Sequence, residues 1–335
     1  MNLFIGNLNS YSRSYERYLV LKNICDNTVS INTAGDDYIS GISSNFSIIS
    51  RVFNKIGVPF DESKTNSKIN SLGEDLNFQL IWIEKTMQIR PSTIRRLRGK
   101  YPNSNIVLYT NDNLSKTHNQ SFYLINTFKY FDLIVTVKPY SESFFYKHGA
   151  KKVLLVERSH SCNLLNKVNF KDFKYDVVFI GRYEKQRADD ILYLTSNGVC
   201  VNIWGSGWNS VKSNKNLIIH GKPVWGGDYI DTVLSSKIVL NFLRKINNDV
   251  TTGRTFEIPA LGGFMLSEFT IEQRDIFHEG VHACYFGSKV ELLDKVRYYL
   301  KNDKKRENIA KGAKNKALSK EFCHESVISC VLDNL

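Results

Sequence analysis

Short apolar segments alternate with longer amphipathic ones along this chain, and this alternation constrains the fold more than any other feature. In the first half each apolar segment is four to seven residues long, which suits a buried strand. Strands that alternate with helical patterns indicate βαβ units and a parallel sheet. The strand-like segments of the first half are LFIG (3–6), TVSIN (28–32), FQLIWIE (78–84), NIVLYT (105–110), LIVTV (133–137) and KVLLVE (152–157).

The helical pattern PSTIRRLRGKY (91–101) lies between two of these segments. Proline is favoured in the first turn of a helix and glycine just past its end. We therefore expect Pro91 at the start of a helix and Gly99 at its end.

The alternation starts again near residue 173, where segment 173–208 has the order strand, turn, helix, strand and turn. Asn197 and Gly198 are expected to end its helix. This order is typical of the opening unit of a second Rossmann-like domain. The pattern continues through NLIIHG (216–221), GDYIDTVLSSK (227–237), IVLNFL (238–243) and VHACYFGS (281–288), before a mostly helical tail from Lys289.

Together the two patterns predict an α/β protein with two Rossmann-like domains, whose parallel sheets face each other across a cleft. A chain of 335 residues is long enough for two domains of about 150 residues each. We place the first domain at 1–170 and the second at 171–318, with a hinge at 170–175. Residues 319–335 are predicted to form a C-terminal helix that packs back on the first domain.

The net charge of +12 is unevenly distributed along the chain. Residues 1–170 carry +8 (21 Lys and Arg against 13 Asp and Glu), and the rest carries +4 (24 against 20). A basic half can meet nucleic acid, an anionic membrane face or a negatively charged substrate, or it can be an ordinary solvated surface. We expect no nucleic-acid partner, because no dense basic stripe or recognition motif is present.

The six cysteines are scattered, with no CxxC pair and no Cys/His spacing typical of zinc sites. We expect core cysteines, a reducing cytoplasm and no metal site. The N-terminus lacks the pattern of a signal peptide, and no stretch approaches the ~18 apolar residues of a membrane span. Periplasmic binding proteins share a two-domain architecture but need export. The cysteines are Cys25, Cys162, Cys200, Cys284, Cys323 and Cys330.

The segment NNDVTTGRTFEIPALGGFMLSE (247–268) is the most informative motif of the second half. Arg254 and Glu257 lie three residues apart and follow an N-cap-like loop over residues 249–253, so both are expected in a first turn on one face. The N–H groups of such a turn bind phosphate, and arginine grips a diphosphate in bidentate fashion. A carboxylate can accept two ribose hydroxyls. The alternative is an ordinary surface ion pair.

The same segment contains Pro259 and the pair Gly262 and Gly263. We expect Pro259 to break the helix and the glycines to allow a tight return into the next strand. Turns after other strands complete the predicted donor site, because ligands collect at the carboxyl edge of parallel sheets. Each turn can equally be a simple connection. The predicted donor-binding residues are Gly181, Arg182, Arg187, Gly205, Lys222, Pro223, Val224, Asn241, Thr252, Arg254 and Glu257.

Polar residues also follow two strands of the first half. Glu84 and Lys85 end one strand, and Asn111 and Asp112 end the next. Such groups can orient a hydroxyl nucleophile or act as its base, although turn formation and capping are the structural alternatives. We expect partial burial to raise the pKa of Asp112. The predicted catalytic residues are Asp112, His118 and Glu84, and the predicted acceptor-side residues are Lys85, Asn111 and Asn119.

Several blocks of the sequence resemble CgeB-type (spore-maturation) glycosyltransferases over about residues 78–320. DVVFIGRYEKQR, IWGSGW, KIVLNFL and DVTTGRTFEIPALGGFMLSE resemble the C-terminal half of that family, and LIWIEK, YTNDN and the segment after HNQSF resemble its N-terminal half. The resemblance implies a GT-B fold, transfer of a sugar from a nucleotide donor, and donor contacts by Arg254 and Glu257.

Two positions depart from the patterns of these enzymes. Many GT-B enzymes have two glutamates with seven residues between them, whereas ten residues lie between Glu257 and Glu268 in this chain. The family often has a second Asp where this chain has Asn113. The first departure weakens any assignment of Glu268 to the donor, and the second places more weight on Asp112.

These observations predict a cytoplasmic, metal-independent glycosyltransferase, held in part at the inner face of the cell membrane. Its donor is a nucleotide-sugar, which is a substrate, so no cofactor is expected. Its acceptor is a cell-surface glycan or a lipid-linked saccharide, as in polysaccharide biosynthesis. The alternative is a non-catalytic nucleotide- or sugar-binding protein with the same two domains.

Overall fold

The computed structural model describes residues 1–34, 53, 56–162, 172–212 and 214–335. These residues form two compact units: Met1–Arg158 with His324–Leu335, and Ser159–Cys323. Each unit contains a six-stranded sheet, and every strand pair in both sheets is parallel. The predicted α/β class with two Rossmann-like domains is confirmed. The predicted hinge begins at residues 170 and 171, which lie outside the described residues, and Tyr175 already starts a strand.

The first unit has the sheet order β2-β1-β3-β4-β5-β6. All six strands predicted for the first half are confirmed, with ends shifted by three residues or fewer. The strands are β1 (Asn2–Gly6), β2 (Thr28–Asn32), β3 (Leu80–Glu84), β4 (Asn105–Thr110), β5 (Leu133–Thr136) and β6 (Val153–Leu155). The helices are α1 (Arg13–Ile24), α2 (Thr65–Asn70), α3 (Pro91–Lys100), α4 (Phe122–Ile125) and α5 (Glu142–Lys147).

Helix α3 starts at Pro91 as predicted, but it does not end at Gly99. Gly99 keeps a helical conformation, and the helix continues to Lys100. The N–H group of Tyr101 donates to the carbonyl of Leu97, so this tyrosine ends the helix without a left-handed glycine.

The second unit has the sheet order β12-β11-β10-β7-β8-β9. The strand order reverses between β7 and β10, and in open parallel sheets this reversal creates a crevice beyond the carboxyl ends of the two strands. The strands are β7 (Tyr175–Ile180), β8 (Val201–Trp204), β9 (Leu217–Ile219), β10 (Ser236–Asn241), β11 (Met265–Glu268) and β12 (Cys284–Phe286). The helices are α6 (Lys185–Ser196), α7 (Gly226–Leu234), α8 (Gly253–Leu261), α9 (Ile271–Ile276), α10 (Lys289–Lys301) and α11 (Asp303–Ala317).

A last helix, α12 (His324–Asp333), belongs to the first unit, where it packs against α1. Its residues Val327, Ile328 and Val331 are buried in the same apolar cluster as Val20 and Leu21. The chain thus returns to the first unit after completing the second.

The carboxyl end of β3 in the first unit is fixed by a buried ion pair. Arg17 of α1 donates from Nε to Glu84 Oε1 at 2.8 Å and from Nη2 to Glu84 Oε2 at 2.6 Å. The indole of Trp82 also donates to Glu84, and the Arg17 guanidinium lies 4.4 Å from the centre of the Tyr109 ring. At Gly6 a Cβ atom would lie 2.9 Å from Glu84 Cγ, so only glycine allows this approach. The pair therefore ties α1 to three neighbouring strands.

A disulfide joins Cys162 to Cys323 within the second unit, which corrects the expectation that all cysteines are unpaired core residues. Their separation of 161 residues along the chain concealed the pairing. The backbone brings the segments together, since His160 forms a β-bridge with Cys323. The other four cysteines are free thiols, and Cys330 is exposed on α12.

Arg17→Met tests the buried ion pair. This change leaves the Glu84 carboxylate buried without its cation, so we expect the free energy of unfolding to fall by about 3–5 kcal/mol in urea titrations. Adding Glu84→Gln should recover at least half of that loss, because an amide still accepts from Trp82. Arg95→Met, at an exposed position of α3, is the control and should change stability by less than about 0.5 kcal/mol. A loss of the same small size for Arg17→Met would show that the pair is not needed.

Candidate functional site

Two glycines let the ends of β7 and β8 lie side by side. A Cβ atom on Gly205 would lie 2.0 Å from the carbonyl oxygen of Gly181. That oxygen accepts from the indole of Trp208 at 2.9 Å, and the Gly181 N–H donates to Trp204 at 2.8 Å. Gly181 and Gly205, predicted as donor contacts, are thus required first by the packing of the strand ends.

Arg187 is buried in the first turn of α6, directly behind the end of β7. Its Nη1 donates to the carbonyl of Arg182 at 3.1 Å, and its Nη2 lies 3.6 Å from Glu184 Oε2. Its Nε has no hydrogen-bond partner among the described residues. The ion pair with Glu184 therefore does not satisfy the whole guanidinium. The Arg182 side chain is exposed.

Three guanidinium groups, of Arg187, Arg244 and Arg254, form what we call the arginine cluster. Burial lowers the pKa of Arg187 below its ordinary value, although Glu184 acts in the opposite direction. The positive charges of Arg244 and Arg254 lower that pKa further. Arg244 is paired through its Nε with Glu184 at 3.1 Å. Arg187 thus lies within electrostatic reach of two other arginines and of the carboxylates of Glu184 and Glu268 at this edge.

Helix α8 starts from the loop 249–253 that was predicted to be N-cap-like, and its N-cap is Thr252. The Thr252 hydroxyl accepts from the N–H of Thr255, and the Thr255 hydroxyl accepts from the N–H of Thr252, which is a capping box. Arg254 is the second residue of the helix. Glu257 is the fifth, so it lies one turn deeper than predicted and is buried. The two residues share one face, and the Arg254 guanidinium lies 5.7 Å from the centre of the Tyr229 ring.

Pro259 lies inside α8 and does not break it, contrary to the prediction. A proline in a helix interior removes one hydrogen bond, and here every residue from Thr255 to Leu261 is buried, so packing holds the helix together. The helix ends at Gly262, whose φ of +87° gives the expected left-handed cap.

A buried polar network lies beneath the start of α8. The Asn241 amide, at the end of β10, donates to Ser267 Oγ at 3.0 Å and lies 3.2 Å from Thr255 Oγ1 and 3.3 Å from Gln273 Oε1. Its Oδ1 accepts from Thr252 Oγ1 at 3.1 Å. Asn241 is 1% exposed, so it positions the helix start and does not offer its side chain to a donor as predicted. Sequence reasoning missed this network, because its members are spread over residues 241–273 and no local pattern joins them.

Glu268, at the end of β11, is engaged by the loop after β10. Its Oε2 accepts from the N–H of Leu243 at 3.2 Å, and its Oε1 pairs with Lys245 at 3.1 Å. Through these contacts Glu268 anchors the loop after β10. Glu268 is the second glutamate that was compared with the spacing in GT-B enzymes.

The segment after β9 presents Lys222, Pro223 and Val224 in different environments. The Lys222 side chain is exposed, Pro223 is half-buried, and Val224 is buried in the apolar core. Lys222 and Val224 line a cavity of about 260 Å³ together with Trp204 and residues of α7. Lys222 and Val224 of this segment therefore border an open space.

In the first unit, Asp112 and Lys85 come together at the carboxyl ends of β4 and β3. Lys85 Nζ lies 2.6 Å from Asp112 Oδ2. Burial alone would raise the pKa of Asp112, but Lys85 and the charges of Arg158 and Lys138 outweigh that effect and lower it. This corrects the expectation of a raised pKa. A lowered pKa keeps the carboxylate ionised and makes it a weaker base.

The other site residues predicted in the first unit lie in different environments. Both oxygens of Glu84 accept from Arg17, which favours a structural role over the catalytic one that we predicted. Asn119 is buried, and its amide donates to the carbonyl of Asn113 at 3.1 Å, so it shapes the loop. The carbonyl of Asn111 accepts from Arg158 at 3.1 Å. His118 is exposed in a short 3₁₀ turn.

The described part of the chain shows neither a cluster of metal ligands nor a membrane-spanning helix. No group of three or more His, Cys, Asp or Glu side chains there is placed to hold a metal ion. None of the helices that the structure describes is both long and apolar enough to cross a membrane.

Comparison with known proteins agrees with this geometry. Residues 189–328 match a family model described as glycosyl transferase-like. No curated protein matches the sequence. A similar solved structure is that of HepE from Anabaena in complex with UDP and glucose, at 12% identity and a TM-score of 0.65, with both chains covered completely. HepE has also been solved with UDP-glucose.

Two further structures have the same fold. Sucrose-phosphate synthase from Thermosynechococcus elongatus is 9% identical with a TM-score of 0.65, and the match covers 100% of this chain and 98% of the other. A glycosyltransferase from Rickettsia africae is 12% identical with a TM-score of 0.60, covering 99% and 97%. Identities this low show the fold alone. The chain therefore has the GT-B fold, and its residues 189–328 are similar to the glycosyl transferase-like family model.

Proposed function

We propose that this protein is a glycosyltransferase that binds a nucleotide-sugar at the carboxyl edge of β7 and β10 and transfers the sugar to a hydroxyl group. The observation that carries the proposal is the place of Arg187 and Arg254, each in the first turn of a helix on the carboxyl side of β7 or β10, where the strand order reverses. Parallel sheets bind ligands at this position, and nucleotide-sugars carry a diphosphate that arginines bind well.

The diphosphate is proposed to lie between the arginine cluster and the first turn of α8. The first N–H groups of a helix have no acceptor within the helix, and the helix dipole adds positive charge there. Arg254 is half-buried in that turn, so it can reach an anion while its stem stays packed. Glu257, one turn further on the same face, is proposed to accept the ribose hydroxyls.

The base of the nucleotide is proposed to lie against residues 222–224. Lys222 and Val224 line the cavity next to α7, and peptide groups can read the edge of a base without side chains. The structure of HepE with UDP-glucose makes uracil and glucose the first candidates to test here.

The proposed reaction forms one bond and breaks one. The acceptor oxygen attacks the anomeric carbon, and the bond from that carbon to the diphosphate breaks, with the electron pair leaving on the phosphate. The acceptor proton passes to a base or to the departing phosphate. Cationic side chains and a helix start stabilise the leaving charge, so we propose that no metal ion or cofactor is needed.

Asp112 is proposed to orient or deprotonate the acceptor. Its partner Lys85 holds the carboxylate ionised and fixes its position at 2.6 Å. An inverting transfer needs such a base, whereas a retaining transfer does not and would use Asp112 only to bind the acceptor. We propose a cell-surface glycan or lipid-linked saccharide as acceptor, with the basic residues of 1–170 holding the enzyme near an anionic membrane.

A non-catalytic nucleotide-sugar-binding protein is the second candidate. The lowered pKa of Asp112 favours it, since a weak base suits binding better than proton transfer. A panel of nucleotide-sugars, including UDP-glucose, separates the two by thermal shift and by release of the nucleoside diphosphate. Binding with release supports the enzyme, binding without release under any acceptor supports the second candidate, and no binding contradicts both.

Arg254→Ala tests the donor site. Loss of charged hydrogen bonds worth about 1.5–3 kcal/mol should weaken donor binding by about 10- to 100-fold, measured by calorimetry. The melting temperature should stay close to that of Arg274→Ala, a control whose side chain is exposed and paired with Asp275. An unchanged dissociation constant, or a protein that no longer folds, would refute the assignment.

Asp112→Asn tests the proposed base in single-turnover assays at saturating donor. With an inverted product, turnover should fall at least ~100-fold while donor affinity stays unchanged. Because the folded pKa lies below its usual value of about 3.9, the acidic limb of the rate should lie below about pH 4. Lys85→Met removes the neighbouring charge and should move that limb to higher pH. An inverted product from a fully active Asp112→Asn enzyme would transfer the role to His118.

A further inference from the structure

The second unit contains a second cavity, at the edge of the sheet opposite the arginine cluster. Its volume is about 260 Å³. Ser236, the first residue of β10, and Phe264, just before β11, line it. The arginine cluster lies beyond the other ends of these strands, and a six-residue strand rises about 3.3 Å per residue, so roughly 20 Å separates the two places. The cavity is therefore separate from the arginine cluster.

The wall of this cavity combines an apolar surface with basic side chains. Val233, Leu234, Leu261 and Phe264 supply apolar surface from α7, α8 and the segment before β11. The charged side chains that line the cavity are one carboxylate, that of Glu307, and four cations, which are Lys237, Arg306, Lys311 and Lys314.

Two of these cations already have carboxylate partners, and two do not. Lys237 pairs with Asp176 at 2.7 Å, and Arg306 pairs with Asp303 at 2.8 Å. Lys311 and Lys314 lie three residues apart on α11, and neither has an acidic partner among the residues that the structure describes. They leave a net positive charge beside the apolar wall.

Arg306 supplies the second, independent observation. It is 1% exposed, its Nη1 donates to the carbonyl of Tyr299 at 2.6 Å, and its guanidinium lies 5.3 Å from the centre of the Phe173 ring. Its Nη2 is buried and has no acceptor within the described residues. Buried donors are nearly always satisfied, so an arginine in a cavity wall with an unsatisfied donor indicates that an acceptor belongs there.

We propose that this cavity binds an amphipathic anion: one phosphate head on an apolar tail, with the head held by Lys311, Lys314 and Arg306. The apolar residues would cover the tail, and burial of apolar surface would add to the charge attraction. The volume lies at the small end for ligand pockets, so it fits a short alkyl phosphate or the first part of a longer one. This site does not depend on the proposed glycosyl transfer.

Calorimetry on the full chain tests the site with three probes: octyl phosphate below its micellar concentration, inorganic phosphate and octanol. We expect octyl phosphate to bind at least tenfold more tightly than either probe that carries only its head or its tail. Lys311→Glu combined with Lys314→Glu should weaken octyl phosphate at least tenfold. Lys301→Glu combined with Lys304→Glu makes the same charge change at exposed positions outside the cavity and should leave the affinity unchanged.

Three results would overturn the proposal: no binding of octyl phosphate to the wild-type protein, equal binding to the Lys311→Glu/Lys314→Glu variant, or displacement of octyl phosphate by UDP. Arg306→Met, checked by its melting curve for a folded state, should weaken octyl phosphate further in a protein that still binds nucleotide. Vesicles with anionic lipid distinguish the sources of the head. Capture of the wild type but not of the double variant assigns a lipid headgroup, and binding of octyl phosphate without capture assigns a soluble amphiphile.

Discussion

The buried amide of Asn241 is the interaction on which the proposed donor site depends. It holds Thr252 through one hydrogen bond and reaches Ser267 and Thr255 with its other end, so β10, β11 and the first turn of α8 share one polar network. Thr252 can cap the helix only because Asn241 fixes it. The capped start in turn places Arg254 beside Arg187, and the edge gains the positive charge that a diphosphate requires.

The charged side chains at the point where the strand order reverses differ between the two units. In the first unit the sheet order reverses between β1 and β3, and the charge there is neutralised, because Glu84 accepts from Arg17 through both oxygens. In the second unit the reversal lies between β7 and β10, and the buried Arg187 there has a donor nitrogen without a partner among the described residues. A fully hydrogen-bonded buried pair fixes structure, whereas an arginine with an unsatisfied donor at a strand edge can bind an anionic ligand. This contrast supports donor binding at the second sheet.

The periodic features of this structure could be predicted from sequence, and the long-range ones could not. The apolar runs predicted the strands, because a buried parallel strand needs an unbroken apolar segment. The N-cap-like loop that contains Thr252 predicted the helix start through local capping chemistry. The Arg17–Glu84 pair, the Asn241 network and the Cys162–Cys323 bond join residues far apart in the chain, so no local pattern signals them. The prediction that Pro259 breaks the helix was wrong because tertiary packing outweighs one lost hydrogen bond. The prediction of a raised pKa for Asp112 was wrong because the charge of Lys85 lowers that pKa more than burial raises it.

The central claim is that a nucleotide-sugar binds at the start of α8, and hydrogen–deuterium exchange with and without UDP-glucose tests it most directly. The account predicts slower exchange in peptides that cover residues 181–187 and 252–257, because a bound diphosphate would engage their N–H groups and order the surrounding arginines. Peptides from α11 should exchange at the same rate in both samples. Unchanged exchange at residues 252–257 with every nucleotide-sugar that binds, or protection confined to other parts of the chain, would contradict the account.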